Sequence, residues 1–273
     1  MGDALPLTQI IVLAIVQGLT EFLPVSSSGH LALLPMFTGW PDQGLPMDVA
    51  VHVGTMFAVC VYFWRDLWMM ITGLLRATRG KSDPGARLAL QIILATIPTL
   101  AAAWAFDKYV GDGVRKMVVI GWTTVIYSIL LFIVDKTCMT LKRIDHTTYG
   151  DAMLIGLAQI LALVPGTSRS GITMTMARLL GYERAEAARF SMLLSVPTIM
   201  AGGAWLILKL RAADSTTMTQ DALLGMAFSF VAGLFAIAFM MTWLKRSTFT
   251  PFVIYRLILG TIVLATAYGY IQI

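Results

Sequence analysis

Six apolar stretches of this chain are long enough to cross a lipid bilayer, and they constrain its fold more than any other feature. They cover residues 48–72, 88–107, 116–135, 188–209, 222–244 and 252–272. A transmembrane helix needs about 20 mainly apolar residues. Only 13% of the 273 residues are charged, whereas an average soluble protein has about 25%. A water-soluble fold could not bury so much apolar surface, so we predict an all-α polytopic membrane protein.

Two further apolar regions, residues 5–38 and 152–181, are each interrupted by a polar loop. The loops read Pro-Val-Ser-Ser-Ser-Gly-His at 24–30 and Pro-Gly-Thr-Ser-Arg-Ser-Gly at 165–171. As a helix, the apolar piece 152–164 would be about 20 Å long, which is shorter than the ~30 Å hydrocarbon core of a bilayer. We therefore predict two re-entrant helix hairpins that turn inside the membrane, because irregular backbone is tolerated there when protein buries it or it lines a wet cavity.

The order of these segments, a hairpin and three spans followed by the same again, predicts an internal repeat. We place its units at 1–140 and 150–273 of a single membrane domain, 1–273, with the loops aligned on Pro24 and Pro165. Because three crossings are an odd number, the second unit is inverted relative to the first. Inverted repeats of this kind place their binding site near the bilayer midplane.

Lysine and arginine are unevenly distributed between the two sides of this topology. The side opposite the N-terminus carries twelve of them, namely Arg76, Arg79, Lys81, Arg87, Lys136, Lys142, Arg143, Arg178, Arg184, Arg189, Lys245 and Arg246. The other side carries five, namely Lys108, Arg115, Lys116, Lys209 and Arg211. Since cytoplasmic loops are enriched in these residues, we predict that both termini face outward. The net charge of +5 follows this bias, and no nucleic-acid partner is expected because no nucleic-acid-binding motif occurs.

Ionisable and hydroxyl side chains surround the first loop. Glu21 lies in an apolar segment three residues before it, and acids at membrane depth are functional by default. Ser27 and His30 are spaced i and i+3, so they share one face of the following helix. A carboxylate, a hydroxyl and an imidazole are the parts of a nucleophile or acid–base site, so we predict these three as catalytic. Gln17 lies one turn before Glu21, and Ser26 is either a plain helix N-cap or a phosphate ligand.

Arg169 lies at the tip of the second loop, and we predict that it binds phosphate and takes part in catalysis, because a guanidinium matches phosphate oxygens. Neighbouring hydroxyls and backbone N–H groups at a helix start would add donors. The predicted diphosphate ligands are Ser26, Gly166, Thr167, Ser168, Arg169, Ser170 and Thr173. The competing interpretation is a plain ion pair between Arg169 and Glu21. We prefer an anionic ligand, since buried ion pairs rarely stabilise a fold more than apolar residues do.

Three further polar residues lie near predicted span ends. Asp48 and His52 are spaced i and i+4 at the start of a span, and we assign them a supporting or structural role. Arg256 is expected to extend its guanidinium to the membrane surface from near the end of the last span.

At the two loops the sequence resembles the undecaprenyl-diphosphate phosphatase family, which confers bacitracin resistance. The resemblance covers Gln17 to His30, Pro165 to Thr173, Phe190 to Pro197 and Pro251 to Arg256, and so spans most of the chain. It implies hydrolysis of undecaprenyl diphosphate to undecaprenyl phosphate and inorganic phosphate, which recycles the lipid carrier for peptidoglycan and other envelope polymers. It also implies a bacterial inner-membrane protein whose site opens to the periplasm.

The resemblance further implies a divalent cation, magnesium or calcium. Glu21 is the predicted ligand of this cation and Gln17 a weaker candidate, because many family members have glutamate at position 17 and hard cations prefer charged oxygens. Three nucleophiles stay open at this stage: His30, Ser27 with His30 as its base, or water.

Inverted repeats with broken helices are also typical of secondary transporters. A transporter or flippase for an anion or a polyprenyl phosphate is therefore the alternative function. The oligomeric state stays open, with a homodimer as one option.

Overall fold

The computed structural model describes residues 5–109, 116–138, 140–212 and 220–271. Within these ranges the chain forms eleven α-helices and no β-strand. The helices are α1 Leu7–Phe22, α2 Ser27–Thr38, α3 Gly44–Tyr62, α4 Trp64–Ala77, α5 Pro84–Tyr109, α6 Met117–Thr137, α7 Tyr149–Gln159, α8 Arg169–Leu179, α9 Arg184–Ala212, α10 Gln220–Leu244 and α11 Thr250–Ala267. Two residues used in the predictions lie outside these ranges: Arg115, which counts toward the charge bias, and Gln272, which ends the predicted span 252–272.

In the part of the chain that the structure describes, four helices, α5, α6, α10 and α11, are long and apolar enough to cross a membrane. The pair α3 and α4 is a fifth candidate, but it bends by 79°. A polytopic membrane protein is thereby confirmed, whereas the predicted count of six spans stays a prediction. Its sixth stretch, 188–209, lies within α9.

The predicted span 48–72 is wrong as one straight helix, because the chain bends between α3 and α4. At the bend, Phe63 leaves the helical conformation with φ −99° and ψ 28°. The two helices differ in character, since α4 begins with a charged pair, Arg65-Asp66. Asp66 forms an ion pair with Arg189 of α9. The bend therefore separates the apolar helix α3 from a helix whose first turn carries a paired charge.

Each interrupted apolar region folds as a helix, a short loop and a second helix. In the first region α1 packs on α2, and in the second α7 packs on α8 after a 3-10 turn at Ile160–Leu163. The segments Leu7–Phe22 and Tyr149–Leu163 are apolar but shorter than the spanning helices. Both breaks occur at the loops that the sequence indicated.

The two loops have the same backbone geometry around a serine. Among the described residues outside glycine, only Ser26 and Ser168 have positive φ, at 74° and 73°. Each serine oxygen accepts a hydrogen bond from the glycine three residues later, Gly29 N at 3.3 Å and Gly171 N at 3.1 Å. The loops are therefore equivalent at an offset of 142 residues. The alignment on prolines is wrong by one residue, and the equivalent of Ser27 is Arg169.

Both loops contact the middle of a helix pair formed by α6 and α11. Gly121 faces Leu264 and Gly260 faces Val125, so the two helices are antiparallel. Thr123, six residues after the start of α6, donates to the carbonyl of Pro165 at 2.7 Å. Six residues correspond to about 9 Å along a helix. The second loop therefore lies well inside the length of this pair.

A buried ion pair ties α8 to the far end of α6. Arg178 is fully buried, and its Nε donates to Asp135 Oδ1 at 3.2 Å. Arg184 donates to the same oxygen at 2.7 Å. Removing one partner of such a pair would leave a buried charge uncompensated. Arg178 and Arg184, which the charge bias counted as topological signals, thus hold α6, α8 and α9 together.

Candidate active site

Glu21 is the centre of a cluster in which both hairpins take part. The side chain lies at the end of α1 and is only 6% exposed. Its Oε1 accepts a hydrogen bond at 3.0 Å from Arg169 of the second loop. Its Oε2 accepts from Ser27 Oγ at 2.5 Å and from Gln17 Nε2 at 3.0 Å. The structure thus brings together three of the four predicted catalytic residues, with Gln17 beside them.

The contact of Ser27 with Glu21 has the form of a nucleophile beside its base. Such a pair needs a hydroxyl within hydrogen-bond reach of the base and a third group that orients the base. Arg169 and Gln17 orient the Glu21 carboxylate here. Among the described residues His30 makes no hydrogen bond with Ser27 or Glu21, so the base that faces Ser27 in this structure is Glu21.

His30 is held away from Ser27 by two other contacts. Its Nδ1 lies 2.7 Å from the carbonyl oxygen of Ser26, in the preceding helical turn. Its Nε2 lies 2.6 Å from the hydroxyl of Tyr255 in α11, and the two rings stack at an interplanar angle of 5°. Tyr255 lies within the family-like segment 251–256, and no role for it was predicted from the sequence.

The predicted diphosphate ligands divide into groups with free and with occupied hydroxyls. Ser168 caps α8, and Ser170 donates to the carbonyl of Leu23 at 2.9 Å, which joins the two loops. Thr173 is fully buried, and its hydroxyl lies 2.7 Å from that of Ser191. Thr167 Oγ1 is buried without a hydrogen-bond partner. Of these hydroxyls, that of Thr167 is the one that lacks a partner in the described part of the chain.

The backbone conformation and close neighbours of Gly166, in the second loop, require glycine at this position. Gly166 has φ +91°, and a Cβ there would lie 2.2 Å from Thr123 Oγ1. Ser26 of the first loop is 3% exposed and caps α2, and its carbonyl faces His30. The structure therefore gives both residues structural contacts, and their phosphate-binding roles stay predictions.

Arg256 does not reach the membrane surface, so that expectation is wrong. It is fully buried, and its guanidinium donates to the carbonyls of Pro24 at 3.2 Å and of Gly166 and Thr167 at 3.0 Å each. One side chain therefore holds the backbones of both loops. The signal that could have revealed it was a cation well inside an apolar stretch, whose cost at membrane depth requires partners.

His52 lies closer to the site than its assignment as a supporting residue suggested. Its Nδ1 is 2.7 Å from the carbonyl oxygen of Asp48, and its Nε2 is 3.7 Å from Glu21 Oε2. Its side chain is 32% exposed. A second imidazole therefore stands at the edge of the cluster, on α3.

The donor set offers a divalent cation a partial site. Gln17 Oε1 is buried without a hydrogen-bond partner beside the Glu21 carboxylate. The described residues contain no group of three or more histidine, cysteine, aspartate or glutamate side chains that could hold an ion. Magnesium is usually held by one or two carboxylates together with substrate phosphates and water. Glu21 and Gln17 fit a hard cation on that condition, with phosphate oxygens as further ligands.

An apolar groove lies beside the second hairpin. It has a volume of about 410 Å³ and runs between the C-terminal part of α5 and the 3-10 turn before the loop. Its lining includes Ala102, Ala105, Phe106, Leu161 and Val164. Val164 is two residues from Gly166, and two residues of chain span at most about 7 Å. The groove therefore ends next to the loop.

Comparisons with known proteins identify the family of this chain. The family model described as bacitracin resistance protein BacA matches residues 10–262. The chain is 52% identical to undecaprenyl-diphosphatase 1 of Rhodospirillum rubrum, over 96% of this chain and 95% of that protein. It is 52% identical to the undecaprenyl-diphosphatase of Roseobacter denitrificans (96% and 99%) and 42% identical to that of Alteromonas mediterranea (94% and 97%). A match of this length, which includes both loops and the helix that carries Arg256, shows that the chain belongs to the bacitracin resistance protein BacA family.

Proposed function

We propose that this protein hydrolyses undecaprenyl diphosphate to undecaprenyl phosphate and inorganic phosphate. The observation that carries the proposal is the hydrogen bond of Ser27 to Glu21 together with the ion pair of Glu21 with Arg169. A nucleophile, a base and a phosphate-binding cation thus meet where the two hairpins join. The relatives that match over nearly the whole chain are named for this activity. Hydrolysis recycles the lipid carrier and accounts for the bacitracin resistance in the family's name.

In the first step we assign Ser27 as the nucleophile. Its oxygen attacks the terminal phosphorus while Glu21 accepts the hydroxyl proton. The bond between this phosphorus and the bridging oxygen breaks, and undecaprenyl phosphate leaves. Arg169, freed from full engagement with Glu21 as the carboxylate takes the proton, stabilises the negative charge on the transferring group.

In the second step water hydrolyses the phosphoserine. The water oxygen attacks phosphorus, and the serine oxygen leaves and recovers the proton held by Glu21. We assign His30 as the base that takes a proton from the water, because Glu21 is protonated at this stage. His30 then passes this proton to the phosphate product, which leaves as hydrogen phosphate, and the resting enzyme is restored. Ser27 and His30 are spaced i and i+3 on α2, so His30 can serve the phosphate on Ser27 once its contact with Tyr255 is released.

The remaining donors hold the substrate's diphosphate. The predicted ligands are Ser26, Gly166, Thr167, Ser168, Arg169, Ser170 and Thr173. Among them, Thr167 has a buried hydroxyl oxygen without a partner among the described residues. A magnesium or calcium ion, held by Glu21 and Gln17 with phosphate oxygens, would neutralise charge on the diphosphate. A half-buried His52 beside Glu21 can assist this binding.

For the membrane arrangement we propose six spans and two re-entrant hairpins related by an inverted repeat. The spans are α3, α5, α6, α9, α10 and α11, and α4 is an additional helix after the bend. The equivalence of the two loops around Ser26 and Ser168 supports the repeat. The charge bias supports an inner-membrane orientation with the termini and the site opening on the periplasmic side.

The polyprenyl chain has a place beside this site. The apolar groove between α5 and the second hairpin ends next to the loop that carries Arg169. Lipid tails are as apolar as this groove, so close packing of the polyprenyl chain against the groove walls would stabilise it there. We propose that the first isoprene units of the substrate lie in this groove while the rest of the chain extends into lipid.

The test is phosphate release from undecaprenyl diphosphate by purified protein, with magnesium, calcium or EDTA. We expect Ser27→Ala, Glu21→Gln and Arg169→Lys to lower kcat by about a hundredfold or more, as expected for losing a nucleophile or an electrostatic group. Ser28→Ala is the matched control, because this neighbouring serine is exposed and its hydroxyl contacts only Ser26 in the described structure, at 3.4 Å. Release from well-folded wild type with unchanged rates in all three variants would refute the site.

Rapid quenching separates the nucleophiles. A phosphoenzyme that survives acid supports Ser27, and an acid-labile, base-stable one would move the role to His30. Wild type that releases no phosphate but carries an anion or a lipid phosphate across vesicles would establish the transporter instead.

A further inference from the structure

Tyr255 joins the predicted catalytic imidazole to the last helix. It lies in α11 next to Arg256, and its hydroxyl is 2.6 Å from His30 Nε2. The rings are nearly parallel, with centroids 5.7 Å apart. Tyr255 is 45% exposed, in contrast to the fully buried Arg256. The contact therefore combines a short hydrogen bond with a ring that has room to move.

The hydrogen bonds define which nitrogen of His30 carries the proton. A carbonyl oxygen only accepts hydrogen bonds, so Nδ1, at 2.7 Å from the Ser26 carbonyl, carries a hydrogen. In the neutral ring Nε2 then has a lone pair, and the phenol O–H donates to it.

We propose that Tyr255 is the positioning residue of His30. It fixes the ring with Nε2 unprotonated and directed away from Ser26, and it covers that nitrogen in the resting enzyme. This inference rests on the proposed function, in which Nε2 accepts a proton from the attacking water. Because Nε2 has one lone pair, the phenol must release it before the water can donate to it. The half-exposed ring of Tyr255 allows that release without disturbing Arg256.

The first experiment measures the state of His30 without turnover. The chain contains 3 histidines, so His52→Gln with His146→Gln leaves His30 as the only imidazole. In this background the ¹⁵N spectrum should show hydrogen on Nδ1 and a hydrogen-bonded Nε2. Tyr255→Phe keeps the ring and removes the hydroxyl, so the Nε2 resonance should shift. The rate at which His30 is carbethoxylated should rise about fivefold, because Nε2 loses one net hydrogen bond and such a bond corresponds to about this factor. Tyr149→Phe, an exposed tyrosine at the start of α7, is the control and should change neither.

The second experiment measures turnover in the otherwise native chain. Tyr255→Phe should lower kcat about tenfold or more with little change in KM, because a misplaced base slows the step it serves. The rapid first release of lipid phosphate should persist, and acid-stable phosphoserine should accumulate above the wild-type level. Tyr255→Leu, which also removes the stacked ring, should have the larger effect on both quantities.

The outcomes separate this inference from the function on which it rests. Wild type that forms no phosphoserine would refute the proposed chemistry, while the spectrum and the carbethoxylation rate would still decide whether Tyr255 covers Nε2. An unshifted Nε2 resonance with unchanged carbethoxylation in Tyr255→Phe would overturn the positioning role. So would a faster carbethoxylation with wild-type kcat, since covering without positioning is not what we propose.

Discussion

At the scale of single residues, the site depends on polar groups that the membrane would otherwise exclude. Glu21 is paired by Arg169, Gln17 and Ser27, and Arg256 is paired by three backbone carbonyls. Charged groups at membrane depth persist only where such partners exist. The two arginines differ in their partners, because Arg169 meets a carboxylate beside Ser27, the proposed nucleophile, and Arg256 meets backbone carbonyls. We therefore regard Arg169 as a ligand for phosphate and Arg256 as the group that fixes the loops.

Replacement of Arg256 tests this difference. Arg256→Met would leave the carbonyls of Pro24, Gly166 and Thr167 without this donor, and each unpaired buried group costs about 1–3 kcal/mol. We expect a lower unfolding temperature in detergent and a loss of phosphate release of about a hundredfold or more. Arg256→Lys should lie between wild type and Arg256→Met in both unfolding temperature and phosphate release, because an ammonium keeps the charge but cannot reproduce the planar fork of the guanidinium. Arg246→Met, at an exposed position after α10, should behave like wild type, and equal behaviour of both methionine variants would contradict the role.

Gln17 provides a test of the cation. In Gln17→Glu a second carboxylate would stand one helical turn from Glu21, where like charges repel unless a cation lies between them. If magnesium binds here, the concentration for half-maximal phosphate release should fall by about tenfold, since hard cations prefer charged oxygens. Without magnesium the variant should unfold at a lower temperature than wild type. Added magnesium should remove this difference in unfolding temperature. A variant whose stability and activity respond to magnesium as wild type does would remove Gln17 from the cation site.

At the scale of elements, the positions of the helices could be predicted from the sequence better than the bends and contacts that connect them. Apolar length and the two polar loops predicted both hairpins, because a break in hydrophobicity is visible in one dimension. The bend between α3 and α4 was missed, since the residues at the break, Tyr62 and Phe63, are apolar and include neither proline nor glycine. Arg256 was misplaced for a related reason: its partners are carbonyls, which every residue has, so no sequence pattern reveals them.

The second loop depends on a glycine that tolerates no side chain. Gly166→Ala would place a Cβ at 2.2 Å from Thr123 Oγ1 at a residue with φ +91°, which strains the backbone by about 1–2 kcal/mol even before the clash. We expect a clear drop in unfolding temperature and loss of phosphate release. Gly202→Ala is the control, because an added Cβ there meets nothing within 4 Å. Within helix α9, alanine in place of glycine should stabilise the fold by up to about 1 kcal/mol. A similar drop in unfolding temperature in both variants would therefore contradict the role of Gly166.

The groove beside α5 should set the affinity for the lipid chain. Ala105→Trp would fill part of the 410 Å³ groove, so we expect KM for undecaprenyl diphosphate to rise about tenfold with kcat nearly unchanged, as for lost uniform binding. Ala101→Trp lies one turn earlier on the same helix at an exposed position and should leave KM unchanged. Should both variants raise KM equally, the tryptophan would be acting through the surrounding detergent or lipid, and the groove would lose its role.

At the scale of the whole molecule, the site forms only where two distant parts of the chain meet. Glu21 and Arg169 are 148 positions apart, and Tyr255 joins His30 across 225 positions. The sequence predicted that the hairpins meet, because an inverted repeat places its two loops at one depth. The ion pair of Glu21 with Arg169 was the competing interpretation of these two residues and is present in the structure. The contact of His30 with Tyr255 was not predicted from the sequence.

The inversion itself is the last prediction. In a chain with Cys60→Ala and Cys138→Ser, single cysteines would replace Asp42 and Tyr270 on the predicted outer side and Lys81 and Asp145 on the predicted inner side, all exposed positions. A charged thiol reagent that cannot cross the membrane should label the first two in intact spheroplasts and the last two only after permeabilisation. Asp42 follows the first hairpin, and Asp145 precedes the second.

The comparison of Asp42→Cys with Asp145→Cys tests whether the two hairpins enter from opposite faces of the membrane, because each cysteine marks the face from which its hairpin enters. If both are labelled from outside, the hairpins enter from one face, and the loops could meet only by a fold without inversion. If Asp42→Cys alone is labelled, a periplasmic hairpin carrying Glu21 and Ser27 meets a cytoplasmic hairpin carrying Arg169. The proposed nucleophile and the proposed phosphate-binding cation then come from opposite sides of the membrane, and the ion pair of Glu21 with Arg169 is the contact that joins the two halves.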